Sequence, residues 1–189
     1  MRWLSYRVMR WLGWEIAGDL PDVPKMVIVG APHTSNWDFF LFLGAIYHFG
    51  IKVNFLGKAS LFRWPLGAMF RKVGGIPVHR AISGGLVGQV KAAFDAAERM
   101  ILVVAPEGTR KAASHWKSGF VEIAAGAVVP VVIAGVDGAK RVLSVSPPFD
   151  ASGDRGVFMD QVRAFMSDKT GLRPAGKGPV RLEDEPVSS

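Results

Sequence analysis

The sequence predicts a single α/β domain with a mixed central β-sheet flanked by helices. Short, largely apolar runs of strand length occupy residues 26–31, 53–56, 76–78, 101–105, 128–134 and 141–145. Segments with helical periodicity separate most of them, and that alternation is the pattern of layered α/β folds. With 189 residues, 49% hydrophobic and 21% charged, the chain has the length and composition of one globular domain with a sizeable core.

Taken in order, residues 2–17 read as an amphipathic helix. Arg7, Arg10, Trp3 and Trp14 fall on one side, and Leu4, Val8, Trp11, Leu12 and Ile16 spread over a broad apolar face. Such a helix suits a membrane interface, and it equally suits docking on the domain's own core. Pro21 and Pro24 mark a turn into the strand 26–31. A helix over 36–48 and a strand over 53–56 follow. Residues 61–72 interleave Phe62, Trp64 and Phe70 with Arg63, Arg71 and Lys72, the composition of either a lipid-facing loop-helix or a piece of core. A brief strand over 76–78 ends at His79-Arg80. Leu86, Val90, Ala93, Phe94 and Ala97 give residues 84–100 a helical period leading into the strand 101–105. Residues 117–125 read as a helix and 128–134 as a strand with Pro130 near its start or on an edge. A strand over 141–145 and a closing amphipathic helix over 154–167 complete the domain. Beyond them, Gly, Pro and balanced charge predict a disordered tail over 170–189.

The net charge is +7, and it is unevenly placed. From Phe39 to Phe94 there is no Asp or Glu, whereas Lys52, Lys58, Arg63, Arg71, Lys72, Arg80 and Lys91 all lie there. An acid-free basic stretch favours an anionic partner: a phosphate ester, an anionic membrane or nucleic acid. Nucleic acid is disfavoured, because no recognised motif occurs and the span is rich in Phe, Leu and Gly. There is no cysteine, which excludes disulfides, thiol nucleophiles and Cys-ligated zinc. The histidines His33, His48, His79 and His115 lack ligand spacing, so no metal is expected. The uncharged apolar run over residues 39–51 is shorter than the roughly 18–20 residues that span a bilayer. Residues 1–16 also lack the unbroken apolar core of a signal peptide.

Two polar clusters sit where α/β folds build their sites, just after apolar strands. The first is Pro32-His33-Thr34-Ser35-Asn36-Trp37-Asp38. Positions five apart on one helix differ by about 140°, so His33 and Asp38 cannot share a helical face. They can meet if His33 lies in the loop and Asp38 in the first turn of the next helix. A carboxylate on one ring nitrogen fixes the tautomer and makes the other a competent general base. Alternatively, Asp38 only completes a capping box with Ser35, and His33 is a polar loop residue. No G-x-S-x-G is present, so no serine is placed as a nucleophile. The second cluster is Pro106-Glu107-Gly108-Thr109-Arg110. Its Gly permits close backbone approach, Arg110 offers a planar fork for phosphate, Thr109 a donor and Glu107 an acceptor for hydroxyls. Alone, it reads better as a surface turn with a Glu–Arg pair.

Together, H-x-x-x-x-D followed by P-E-G-T-R resembles the glycerolipid acyltransferases, the family of lysophosphatidate and glycerol-3-phosphate acyltransferases. Lys58-Ala59-Ser60-Leu61-Phe62, Pro65, Gly67 and Gly75-Ile76-Pro77-Val78-His79-Arg80 are similar to its second block. Trp116-Lys117-Ser118-Gly119-Phe120 with Ile123-Ala124, and then Val129-Pro130-Val131-Val132, resemble later blocks in the family's order. The likeness covers residues 26–136. It departs at Pro32, where many members carry Asn, a difference that bears on the acceptor more than on the reaction.

The resemblance implies that His33, oriented by Asp38, takes the proton of a glycerol hydroxyl as that oxygen attacks an acyl thioester. It assigns Glu107, Gly108, Thr109 and Arg110 to acceptor binding, and Arg80 and Lys58 to the acceptor's phosphate. The donor is acyl-CoA or acyl carrier protein, with no bound cofactor. The favoured acceptor is the lysolipid 1-acyl-glycerol-3-phosphate; another lysolipid, such as lyso-ornithine lipid, is the nearest alternative, and a non-catalytic anionic-lipid-binding module is a further one. The expected organisation is an N-terminal amphipathic helix over 1–17, an acyltransferase domain over 18–169 and the tail over 170–189. The chain is expected to sit peripherally on the cytoplasmic side of the inner membrane without crossing it.

Overall fold

The computed structural model describes residues 2–63, 67–78, 85–108 and 112–185; the side chains of residues 2–6, 58 and 61 are not described. The strands are β1 (Glu15–Ala17), β2 (Lys25–Ala31), β3 (Asn54–Lys58), β4 (Gly75–Val78), β5 (Met100–Val104), β6 (Val131–Asp137) and β7 (Val142–Val145). The helices are α1 (Arg2–Trp11), α2 (Asp38–Phe49), α3 (Gly67–Lys72), α4 (Gly85–Ala96), α5 (Gly119–Ala127) and α6 (Arg155–Met166). Among the described residues the strands form one sheet in the order β1-β7-β6-β2-β5-β3-β4. All neighbours run parallel except β6 and β7, which makes the sheet mixed, as expected.

The two-residue period of the strands builds two cores. Val27, Val29, Leu102, Val131 and Ile133 face Phe94 of α4, Phe120 and Ile123 of α5, and Phe158, Met159 and Val162 of α6. Met26, Ile28, Ile101, Val132 and Leu143 face the other way, onto Met9 of α1 and Leu41 and Ala45 of α2. Being covered on both faces, β2 and β6 read as continuous apolar runs.

Three expectations are corrected and one open reading is narrowed. The N-terminal helix stops at Trp11 rather than running to residue 17. Gly13, at φ 74°, donates to Arg10 O and Trp14 donates to Met9 O, a glycine-based helix stop, after which β1 pairs with β7. The apolar run 128–134 is not one strand: Val128 is the left-handed cap of α5, and β6 runs on to the buried Asp137. In the segment 61–72, Phe62 is buried and meets the Phe70 ring at a tilt, with centroids 5.8 Å apart, so both contribute to packing. The tail is the largest correction. Residues 170–185 lie against the domain: Leu182 is fully buried in the first core, Trp116 donates to Arg181 O at 2.7 Å, and Arg163 of α6 pairs with Glu185 at 3.1 Å. Its polar composition conceals a few anchoring contacts.

Candidate active site

Because β2, β3, β4 and β5 are parallel neighbours, their C-terminal ends share one edge of the sheet. That edge gathers His33 after β2, Lys58 at the end of β3 and Glu107 after β5. Arg80 follows β4 by two positions and, with Thr109 and Arg110, lies outside the described residues; of Lys58 only the backbone is described.

The loop after β2 begins with a cis Ala31–Pro32 peptide. His33 Nδ1 stands 3.2 Å from Asp38 Oδ2; Asp38 is fully buried, whereas a quarter of the His33 side chain is accessible. The same Oδ2 accepts the backbone N–H groups of Thr34 and Ser35, each at 2.7 Å. Ser35 Oγ accepts from Trp37 N at 3.2 Å, but α2 begins at Asp38 with Trp37 as its N-cap and no side-chain cap, so the expected Ser35–Asp38 capping box is not formed. One oxygen of Asp38 meets both the loop N–H groups and the histidine ring. A carboxylate only accepts, so a neutral ring meets it with Nδ1–H and keeps its Nε2 lone pair able to accept a proton.

Glu107 joins the two clusters. Its Oε2 accepts the His33 backbone N–H at 2.6 Å, and its side chain is buried. Burial pushes the Glu107 carboxyl above its ordinary range; the hydrogen bond from His33 and the His33 ring oppose the rise, and Asp38 adds to it. Gly108, at φ 64°, turns the chain after it, and a Cβ there would lie 3.2 Å from Lys117 Cε.

A further part of the site carries no sequence signal. Arg173 N–H donates to Thr34 Oγ1 at 3.0 Å, and a Cβ on Gly171 would come within 2.9 Å of Pro32 and Thr34. Gly171 is itself tied to β6 by its N–H to Val136 O at 2.8 Å. The segment after α6 thus backs the histidine loop from the side opposite Glu107's tether.

A buried carboxylate thus lies against a quarter-accessible imidazole at a strand end, with a second acidic loop alongside. The family profile described as Acyltransferase matches residues 17–136, more than half of the chain. The chain belongs to the Acyltransferase family. Its matched span holds both clusters, so the family expected from their motifs is the one found. This acyltransferase is also similar to the crystal structure of the 1-acyl-sn-glycerophosphate (LPA) acyltransferase PlsC from Thermotoga maritima. The TM-score is 0.57 at 19% identity, covering 90% of this chain and 76% of that one. At that identity the likeness speaks for the fold. No curated protein matches the chain.

Proposed function

We propose that this acyltransferase moves a fatty acyl group from acyl-CoA or acyl carrier protein to the hydroxyl of a lysophospholipid, with 1-acyl-glycerol-3-phosphate as favoured acceptor. The observation that carries the reading is the His33–Asp38 pair, 3.2 Å apart with the carboxylate buried. His33 Nε2 takes the hydroxyl proton while the oxygen attacks the thioester carbonyl; the carbon–sulfur bond breaks, and the thiolate leaves with the proton from the imidazolium. Asp38 stabilises the cation that forms between the two steps. Ser35 Oγ is engaged by the Trp37 N–H, which supports direct transfer without a serine intermediate. Glu107, Gly108, Thr109 and Arg110 are assigned to the acceptor, and Lys58 and Arg80 to its phosphate. The common sheet edge of Lys58 and Glu107 and the acceptor named for the PlsC structure support that assignment.

Peripheral attachment on the cytoplasmic side of the inner membrane belongs to the same proposal. No helix among the described residues is long and apolar enough to cross a membrane. Trp37, Phe39 and Phe40 are each more than half exposed at the start of α2, beside Asp38, and Trp11 is 84% exposed on α1. Aromatic side chains of this kind suit the bilayer interface. Mass spectrometry of products formed from acyl-CoA and a panel of lysolipids, lyso-ornithine lipid included, tests the acceptor. Acylated 1-acyl-glycerol-3-phosphate is the expected product, and acylation of a different lysolipid alone would reject that acceptor.

A further inference from the structure

We propose that the cleft between the end of α1 and the turn joining β6 to β7 is a binding site for a phosphate group. The cleft has a volume of about 490 Å³, and Arg10, Gly13, Trp14, Glu15, Lys140 and Arg141 are among its lining residues. It lies on the same sheet edge as His33, since β6 runs parallel to β2 and the turn follows its end at Asp137. β1 enters beside the start of β7, with Glu15 opposite Val142. Adjacent strands are about 4.8 Å apart, so β7 lies roughly 10 Å from β2. The cleft therefore adjoins the acyl-transfer site without sharing a residue with it.

Three cations face one carboxylate in this lining. Lys140 is largely committed, with its Nζ 3.3 Å from Asp137 and 3.1 Å from Asp168, and so chiefly fixes the turn. Arg141 differs: among the described residues its guanidinium has no hydrogen-bond or ion-pair partner. Its backbone sits at φ 55°, a conformation that non-glycine residues disfavour, held by a hydrogen bond from Glu15 N–H to its carbonyl at 3.0 Å. That turn lays the side chain over Gly13, where a Cβ would come 3.0 Å from Arg141 Nη1. A glycine at φ 74° and a strained arginine together hold one guanidinium at the cleft. Its planar fork suits the paired oxygens of a phosphate, Arg10 adds charge from the last turn of α1, and Trp14 supplies a wall. The exposed carboxylate of Glu15 disfavours a more highly charged anion close to β1.

Two sources of phosphate fit this chemistry: the headgroup of a bilayer phospholipid, or a soluble phosphate ester. Arg141→Gly is the discriminating variant, because glycine accepts the left-handed backbone while removing the side chain that carries the guanidinium. With the full chain and no acyl donor present, inorganic phosphate is titrated by calorimetry. Co-sedimentation is measured with phosphatidylcholine vesicles, with and without phosphatidylglycerol. The wild type should bind phosphate, and Arg141→Gly and Arg10→Ala should each bind it roughly 10–150-fold more weakly. A parallel loss on phosphatidylglycerol vesicles assigns the site to a lipid headgroup. Weaker phosphate binding with unchanged vesicle binding assigns it to a soluble ester. Equal phosphate affinity in the wild type and both folded variants would overturn the proposal. The absence of donor keeps the outcome separate from whether His33 acts as the base.

Discussion

The backbone N–H of His33 donates to Glu107 Oε2 at 2.6 Å across 74 positions of sequence, so the loop holding the proposed base hangs from the loop assigned to the acceptor. Glu107→Ala leaves that part-buried N–H without its acceptor and should cost about 1–3 kcal/mol of stability. Glu107→Gln keeps an acceptor carbonyl and should cost less. Denaturant unfolding of the two variants checks the order.

The same carboxyl gives a pH dependence with a definite sign. Burial raises it above its ordinary range against the pull of the His33 N–H. Its contribution to stability is therefore full below the range of an unfolded Glu and is lost as pH rises through the folded value. Glu107→Gln does not titrate, so it should gain on the wild type between about pH 4 and about pH 7. Thermal midpoints at the two pH values measure the gap; a gap moving the other way would reject the account of Glu107.

Asp137 should behave oppositely. Burial alone would raise it, but hydrogen bonds from the Lys140 backbone, the Lys140 ammonium and the Thr170 hydroxyl hold it below its ordinary range. It supplies stability above the range of an unfolded Asp that disappears as pH falls through the folded value. Asp137→Asn should be destabilised at about pH 7 and progressively less so in acid, read from the same midpoints.

Much of this architecture was readable from period and punctuation. The continuous apolar run of β2 and the apolar positions of α4 and α6 follow directly from burial, and the motif loops follow from ionisable residues placed just after apolar strands. The edges were not readable. β1 spans three residues, and its identity depends on pairing with β7 rather than on local propensity. The stretch after residue 170 looks solvated because, among its described residues, Leu182 is the one fully buried apolar side chain, while backbone hydrogen bonds at Gly171, Arg173 and Arg181 and the Arg163–Glu185 pair provide the rest. For the same reason the brace on Thr34 was invisible: it consists of a backbone N–H and a glycine, neither of which a single sequence marks.

That brace has a consequence for catalysis. Thr34 presents its N–H to Asp38 and its Oγ1 to Arg173 N–H, so it positions the histidine loop without a role in the chemistry. Thr34→Val removes the acceptor and should lower kcat with little change in acceptor KM, whereas Thr34→Ser should restore the rate. Gly171→Ala places a Cβ at φ 71° and 2.9 Å from both Pro32 and Thr34 and should lower kcat in the same way. Steady-state kinetics on soluble short-chain acceptors separates kcat from KM. An effect confined to KM would contradict the positioning role.

Asp38→Asn tests the charge behind the ring. An amide oxygen can still accept from Thr34 and Ser35, so the loop should hold, but the imidazolium loses its buried counter-charge. The rate should fall far more than acceptor affinity, and a change only in affinity would argue against the pair.

The most direct measurement is the single-turnover rate of acyl transfer by His33→Ala, with acyl-CoA as donor and 1-acyl-glycerol-3-phosphate as acceptor, on protein shown to be folded. A general base in this position is worth roughly 10²–10⁴-fold, and a loss of that size with near-normal acceptor binding is the expected result. Ordinary turnover in the folded variant would contradict the assignment of His33 as the base.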